Sequence, residues 1–168
     1  MPRLPAPWQA RGLALRHEDA QDLPALRDMF RQQRWGEFAA MPWDDAAKAA
    51  LLDQQFDAQR RDYTRRHPDA RLLVLTEYAQ VVGRLYLAPD TDGTVRILDI
   101  ALRAACRGQG IGRALIGAVQ VQARRVRLQV YKDNPAAALY RQLGFRAVAD
   151  TGVAWQMQWD QPDAVPVS

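Results

Sequence analysis

The chain has 168 residues, a formal net charge of +4 and a sequence pI of about 9.6. Hydrophobic residues make up 48% of it, which is typical of a globular domain and excludes a disordered one. The basic residues are scattered without interleaved aromatic residues, which argues against a nucleic-acid surface, and no apolar run approaches the ~20 residues that cross a bilayer. We therefore expect a single domain over residues 1–168, without nucleic-acid or membrane partners.

The cysteine and histidine content also limits the class of protein. Cys106 is the single cysteine, so no internal disulfide can form, as is usual in a reducing compartment. The N-terminus has no apolar stretch of signal-peptide length, so a cytoplasmic location is expected. His17, His67 and Cys106 lack metal-ligand spacing, and no metal is predicted. The sequence leaves a homodimer open.

The first half of the chain predicts two helices and three strands. Residues 1–11 are rich in proline and are expected to form a loose lead-in. A short strand at 12–16 precedes a helix capped by Asp19 that ends near Trp35. The elements that follow are a helix from about 43 to 66 and strands at 72–77, 81–87 and 94–102.

The second half predicts alternating helices and strands. They are a helix at 109–124, a strand at 125–130, a helix at 134–143, a further candidate strand at 145–149 and a strand at 153–159. Three consecutive strands indicate an antiparallel section, and the strand–helix–strand unit after them indicates a parallel pair. The predicted fold is therefore α/β, with a mixed, largely antiparallel sheet of six to seven strands and helices on both faces. Its core spans residues 12–159, followed by a loose tail at 160–168.

The segment "CRGQGIGRAL", residues 106–115, lies where a predicted strand passes into a predicted helix. A helix start presents unpaired backbone N–H groups, and glycines let a ligand approach them closely. Arg107 and Arg113 add positive charge, so the segment predicts a site for a phosphate group. The Gly-x-Gly-x-Gly spacing fits neither a dinucleotide-binding fingerprint nor a P-loop.

The run Arg107-Gly108-Gln109-Gly110-Ile111-Gly112 resembles the signature loop of the GNAT superfamily of acetyl-CoA-dependent N-acetyltransferases, Gln/Arg-x-x-Gly-x-Gly/Ala. The resemblance implies that this loop and Arg113 bind the diphosphate of coenzyme A. It also implies that the preceding strand residues pair their backbone with the pantetheine arm; these are Ile100, Ala101 and Leu102. The same resemblance implies direct attack of an amine on acetyl-CoA, with the oxyanion stabilised by a backbone N–H near Leu102.

"YKDNPAAALYRQLGF", residues 131–145, resembles the family's second signature. The resemblance implies that Asn134, or its neighbour Asp133, contacts the cofactor region and that Tyr140 protonates the departing thiolate. On a helix, Ala136 and Ala137 flank Tyr140 with small side chains that leave room for a bound cofactor. A core tyrosine satisfied by one hydrogen bond is the alternative.

The general base is not obvious, because Arg96 and Gln129 stand where the family commonly has a glutamate. Asp99, acting through a water molecule, is the preferred candidate, and strand alternation places it on the face of Ile97 and Ala101. Alternatively, Asp99 is paired with an arginine; the candidates are Arg84 and Arg96. Glu37, Glu77 or the absence of a dedicated base are further alternatives.

The family resemblance places the acceptor pocket between the first two helices, their connection and the sheet. The predicted acceptor-binding residues are Trp35, Glu37, Arg84 and Tyr86, with further walls from Phe38, Met41, Trp43, Phe56 and Tyr63. Most of these could equally be core residues. The implied function is N-acetylation of a small-molecule amine; the alternatives are a non-catalytic coenzyme A-binding module and acetylation of a protein or peptide amine.

Overall fold

A computed structural model describes residues 1–162. Its helices are Ala6–Ala10 (α1), Leu23–Arg34 (α2), Asp45–Arg66 (α3), Ile111–Gln122 (α4) and Ala136–Gln142 (α5). Its strands are Leu13–His17 (β1), Arg71–Glu77 (β2), Gln80–Pro89 (β3), Thr94–Leu102 (β4), Arg125–Tyr131 (β5), Arg146–Asp150 (β6) and Ala154–Asp160 (β7). Across these residues, no helix is both long enough and apolar enough to cross a membrane. Most of the predicted tail lies outside the described residues.

The seven strands form one sheet in the order β1-β2-β3-β4-β5-β7-β6. Only β4 and β5 are parallel; every other neighbouring pair is antiparallel. The predicted mixed, largely antiparallel sheet is confirmed, and the candidate strand at 145–149 is present as β6. The helix cap predicted at Asp19 is also confirmed, because its carboxylate accepts a hydrogen bond from the backbone N–H of Gln21 at 2.8 Å.

The sheet opens between its two parallel strands. Pairing between β4 and β5 runs only from Thr94–Arg125 to Ile97–Leu128. Beyond that point β4 stays bonded to β3, and β5 stays bonded to β7. Strands β4 and β5 therefore diverge, and the unpaired edge of β4 at residues 98–102 faces the gap between them.

A β-bulge at Leu98 changes which face of the sheet Asp99 occupies. Ile97 pairs with Leu87 and Asp99 pairs with Tyr86, so Leu98 has no partner on β3. Paired residues in an antiparallel ladder point to the same face, and Leu87 and Tyr86 point to opposite faces. The prediction that Asp99 shares a face with Ile97 is therefore wrong, whereas its shared face with Ala101 is retained.

The two faces of the sheet carry separate apolar clusters. One joins β2, β3 and β5 to α4 and α5, with Leu85 and Leu115 fully buried. The other packs α2 and α3 on the opposite face, where the rings of Phe30 and Phe56 meet edge to face at 5.6 Å between centroids. Helices on both faces were predicted and are confirmed.

The N-terminal segment is packed against the domain, so the prediction of a loose lead-in at residues 1–11 is wrong. Leu4 is buried in the α4-side cluster, and Trp8 of α1 packs against the same cluster. At the far end of α4, the side chain of Gln122 donates to the carbonyl oxygen of Met1 at 2.6 Å. The high proline content of this segment suggested a loop. Leu4 and Trp8, which are four residues apart, nevertheless pack on the α4 side of the sheet, and Trp8 lies next to Gly110.

Candidate active site

A cavity of about 800 Å³ opens where β4 and β5 diverge. Its walls come from α2, α3, β3, β4, β5 and α5, so both faces of the sheet contribute. The sequence-predicted residues that line it are Glu37, Tyr63, Arg84, Asp99, Ile100, Asn134 and Tyr140. Residues 107–113, which we call the glycine loop, are joined to the β4 strand that forms one wall by a short turn at residues 103–106, and they do not line the cavity themselves.

The glycine loop has a backbone that only glycine adopts without strain. Gly108 has φ +72° and Gly110 has φ +88°. Gly110 forms the N-cap of α4 without a side-chain cap, so the N–H groups of the first turn, up to Arg113, have no partner within the helix. The positive end of the α4 dipole is therefore exposed beside a concave backbone.

Polar side chains hold the glycine loop in place. Arg107 donates from Nε to the carbonyl oxygen of Leu102 at 3.2 Å, and Gln109 donates from Nε2 to that of Ala105 at 2.8 Å. Arg113 donates from Nη2 to Oε1 of Gln142 at 2.6 Å, which ties the start of α4 to the end of α5. Backbone donors flanked by two cations fit a diphosphate.

The strand edge beside the cavity is β4. Ile100, Ala101 and Leu102 pair with β3 on one side, and alternate backbone groups of this stretch face the gap on the other. Ile100 lines the cavity. Gly83 permits this close pairing, because a Cβ there would lie 2.8 Å from the carbonyl oxygen of Ala101. The edge can accept an amide-bearing chain as a further strand.

Tyr140 projects from α5 into the cavity and is only 7% exposed. Burial raises the pKa of its hydroxyl, and the negative charge of Asp99 raises it further. Its ring packs against Phe145 at 5.8 Å between centroids. Among the described residues its hydroxyl has no hydrogen-bond partner, and its oxygen is not one of the buried unpartnered atoms. Tyr140 does belong to the α4-side apolar cluster, so of the core-tyrosine alternative the burial is observed and the satisfying hydrogen bond is not.

The start of α5 is built around Asn134. Its Oδ1 accepts a hydrogen bond from the backbone N–H of Ala136 at 2.9 Å, which leaves its amide nitrogen available at the cavity wall. Ala137 is buried in the α4-side cluster and does not line the cavity. Its small side chain instead lets α5 approach the sheet closely.

Asp99 and Arg84 form an ion pair in the cavity wall, in which Arg84 is buried and Asp99 is partly exposed. The predicted pairing of Asp99 with an arginine is therefore present, and the partner is Arg84. Arg96 lies instead 3.9 Å from Asp90. The other suggested base, Glu77, pairs with Arg11 at 3.2 Å and lies outside the cavity.

The Arg84 side chain is 5% exposed. Its Nη2 donates to Oε1 of Gln59 at 3.2 Å and also contacts Asp99. Its Nε and Nη1 are buried and have no hydrogen-bond partner within residues 1–162. Three N–H bonds of this guanidinium, which lines the cavity, thus have no acceptor among the described residues.

Two of the four predicted acceptor residues lie away from the cavity. Tyr86 is fully buried, donates its hydroxyl proton to Glu18 at 2.6 Å and accepts from Arg60 at 3.0 Å. Trp35 packs against the α2–α3 cluster, with Lys48 6.0 Å from its ring. Both predictions treated an aromatic side chain near the site as a wall, but Tyr86 is buried and hydrogen-bonded and Trp35 packs, partly buried, against the apolar cluster.

Glu37 does line the cavity and is paired with Arg34 at 3.2 Å. Sequence reasoning missed several polar lining residues, which are Gln33, Arg34 and Gln59; Gln129, named as a position where the family has a glutamate, also lines the cavity. One signal was available, since Phe56, Gln59 and Tyr63 recur at helical spacing and so share one face of α3. Burial raises the pKa of Tyr63, and the charge of Asp99 adds to the effect.

Comparison with known proteins agrees with this geometry. Residues 27–145 match the sequence model of the acetyltransferase (GNAT) family. PaiA N-acetyltransferase from Thermoplasma acidophilum, solved in complex with coenzyme A, has 16% identity and a TM-score of 0.66 over 89% of this chain and 99% of that one.

Two further solved structures share the fold. The putative acetyltransferase yncA from Salmonella typhimurium, solved with its cofactor acetyl-CoA, has 20% identity and a TM-score of 0.56 over 92% of this chain and 98% of that one. The ribosomal-protein-S18-alanine N-acetyltransferase from Escherichia coli has 20% identity and a TM-score of 0.59 over 93% of this chain and 98% of that one. At these identities the likeness shows a common fold.

Proposed function

The chain belongs to the acetyltransferase (GNAT) family, and we propose that it transfers the acetyl group of acetyl-CoA to the primary amine of a small molecule. One observation carries the proposal: an unbonded tyrosine hydroxyl, Tyr140, faces the same cavity as an open β4 edge that leads into the glycine loop. Acetyl-CoA is the cofactor of the family, and bound here it would supply an activated thioester carbonyl.

The proposed cofactor contacts follow from the backbone. The N–H groups at the start of α4, with Arg107 and Arg113, would hold the diphosphate. The edge formed by Ile100, Ala101 and Leu102 would pair with the pantetheine amides, with Asn134 on the opposite wall. The loop residues predicted from the sequence are the ones we assign to the diphosphate, whereas Ala137, also predicted at the cofactor site, is buried in the α4-side cluster and is given no cofactor contact here.

We assign Tyr140 as the general acid that gives a proton to the departing thiolate sulfur. A raised pKa keeps its phenol protonated at neutral pH. Its lack of a competing hydrogen bond among the described residues leaves that proton free to transfer. A module that bound coenzyme A without chemistry would have no need for a tyrosine hydroxyl that faces the cavity without a protein partner, which favours the enzyme over that alternative.

Asp99 is the proposed base, accepting the proton of the attacking amine through a water molecule. Its carboxylate lines the cavity and is 20% exposed. The Leu98 bulge turns it towards α3 and away from the α4-side core, so it faces the compartment that the amine would enter. Arg84 balances its charge without closing access to it.

A small-molecule acceptor fits the walls better than a peptide does. Its walls on the acceptor side come from α2 and α3, and it carries charges of both signs from Arg34, Glu37, Arg84 and Asp99. A few fixed polar and charged groups suit a compact polar molecule better than an extended peptide backbone.

The proposal is tested by incubating the protein with acetyl-CoA and a panel of amines while following free thiol release. We expect thiol and acetylated amine to appear in equal amounts for at least one small amine. Acetyl-CoA binding without thiol release on any amine would instead support the non-catalytic module. Release that requires a peptide N-terminus would support a protein acceptor.

A further inference from the structure

The unused donors of Arg84 are the feature of the cavity that the proposed chemistry leaves unexplained. Arg84 lies in the middle of β3, paired with Val74 of β2 and Ala101 of β4. Two of its three guanidinium nitrogens, Nε and Nη1, are buried without a hydrogen-bond partner among the described residues. The charge of Asp99 is met by the third nitrogen alone, Nη2.

Buried N–H donors without hydrogen-bond acceptors lower the stability of the folded protein. A guanidinium stays ionised, so it cannot avoid the cost of burial by losing its proton. A buried donor without an acceptor loses its hydrogen bonds to water and gains no hydrogen bond within the protein. A carboxylate is the complementary group, since its two oxygens match two guanidinium N–H bonds side by side.

The guanidinium is also held firmly, as a specificity site requires. Its central carbon lies 5.2 Å from the centre of the Tyr86 ring, and Tyr86 is fixed in turn by hydrogen bonds with Glu18 and Arg60. Gln59 fixes the guanidinium from α3 at 3.2 Å. The position of Arg84 is therefore set before any substrate arrives.

We propose that the acceptor is an amino acid whose carboxylate binds Arg84 while its amine lies beside Asp99. The inference rests on the proposed function and names the substrate class of the same site. Arg84 and Asp99 are in direct contact, so they present a cation and an anion side by side, which complements the two neighbouring opposite charges of an α- or β-amino acid. The amino acid would satisfy the unused N–H donors of Arg84.

The test compares each amino acid with its methyl ester and with the corresponding decarboxylated amine. The readout is thiol release under saturating acetyl-CoA, resolved into kcat and KM. For the wild type we expect a kcat/KM at least tenfold higher for the amino acid than for either analogue, mainly through KM. R84Q should remove this preference, R84K should keep part of it, and the charge-matched control R96Q should leave it unchanged.

Two results would overturn the inference. One is a wild type that uses the ester or the decarboxylated amine as well as the amino acid; this needs no variant and stands even if R84Q fails to fold. The other is a folded R84Q that keeps the preference, which would make Arg84 only a partner of Asp99. Thiol release with none of the amines would contradict the proposed function itself, so the two failures are distinguishable.

Discussion

The cavity has two sides that are built by different means. Its loop side is the β4 edge, which lines the cavity up to Ile100 and continues past residues 103–106 to the glycine loop outside the lining; this side offers mainly backbone groups. Its helix side consists of polar side chains from α2, α3 and β3, arranged as the pairs Arg34–Glu37 and Arg84–Asp99. A backbone site suits a donor shared by a whole family, whereas a side-chain site can be varied to suit one acceptor. Changes on the loop side should therefore affect cofactor binding, and changes on the helix side should affect acceptor use.

The largest effect is expected from G110E on the loop side. The substitution places a carboxylate at the helix start that would bind a diphosphate, and it forces a side chain into a left-handed conformation beside Trp8. We expect acetyl-CoA affinity, measured by calorimetric titration, to fall about 100-fold or more, equivalent to about 2.7 kcal/mol.

The control for G110E is V121E, which adds the same charge near the other end of α4 at an 84% exposed position. It should bind acetyl-CoA like the wild type. Equal affinity for G110E and V121E would show that the glycine loop does not bind the cofactor.

Y140F should separate chemistry from binding. The substitution removes only a hydroxyl that makes no hydrogen bond within the described residues, so folding and acetyl-CoA affinity should not change. Loss of the proton donor should lower kcat by about 100-fold. Tyr131, exposed on the cavity rim, provides the matched control Y131F. A Y140F enzyme as fast as the wild type would assign Tyr140 a structural role.

D99N changes the helix side, and we expect it to reduce activity less than Y140F does. Removing the carboxylate should lower kcat/KM by about tenfold and flatten the acidic limb of the pH–rate profile, because no base remains there to be protonated. Acetyl-CoA affinity should be unchanged. The control D90N alters a carboxylate near Arg96 and Arg127 that does not line the cavity. An acidic limb that persists in D99N would assign the base elsewhere.

The smallest effect concerns the anchoring of α2, which carries part of the helix side. Asp22 accepts hydrogen bonds from Arg16 at 2.7 and 2.8 Å, which hold its pKa below the ordinary value. Such a carboxylate stabilises the fold when ionised, and its contribution is lost as the pH falls through its folded-state pKa. We expect D22A to lower the free energy of unfolding by about 1–2 kcal/mol at pH 7.

Urea denaturation at several pH values measures this difference. The gap between D22A and the wild type should narrow as the solution is acidified below the usual range of aspartate. D19A, which removes the neighbouring cap and a 4.0 Å contact with Arg16 but leaves the Arg16–Asp22 pair in place, is the matched comparison. A gap that does not depend on pH would show that the carboxylate charge of Asp22 is not involved.

The loop side could be predicted from the sequence because local rules determine it. Gly108 and Gly110 adopt positive φ angles that other residues avoid, and their spacing at a strand-to-helix junction already indicates a site for an anion. The cap at Asp19 and the order of strands and helices follow from equally local patterns.

The helix side could not be predicted because it depends on contacts between distant segments. The bulge at Leu98 turns Asp99 to the other face, and simple alternation gives no sign of a bulge. Tyr86 is buried and donates a hydrogen bond to Glu18, which lies 68 residues away in the chain. The packing of Trp8 beside Gly110 also depends on α4, far along the chain.

The most direct test of the account is hydrogen exchange measured with and without saturating acetyl-CoA. If the opened β4 edge and the glycine loop hold the cofactor, exchange should slow at residues 98–102 and 110–113, while the paired strands β1 and β2 should not change. Binding confirmed by calorimetry with unchanged exchange at both segments would contradict the account, because the cofactor would then lie elsewhere on the protein.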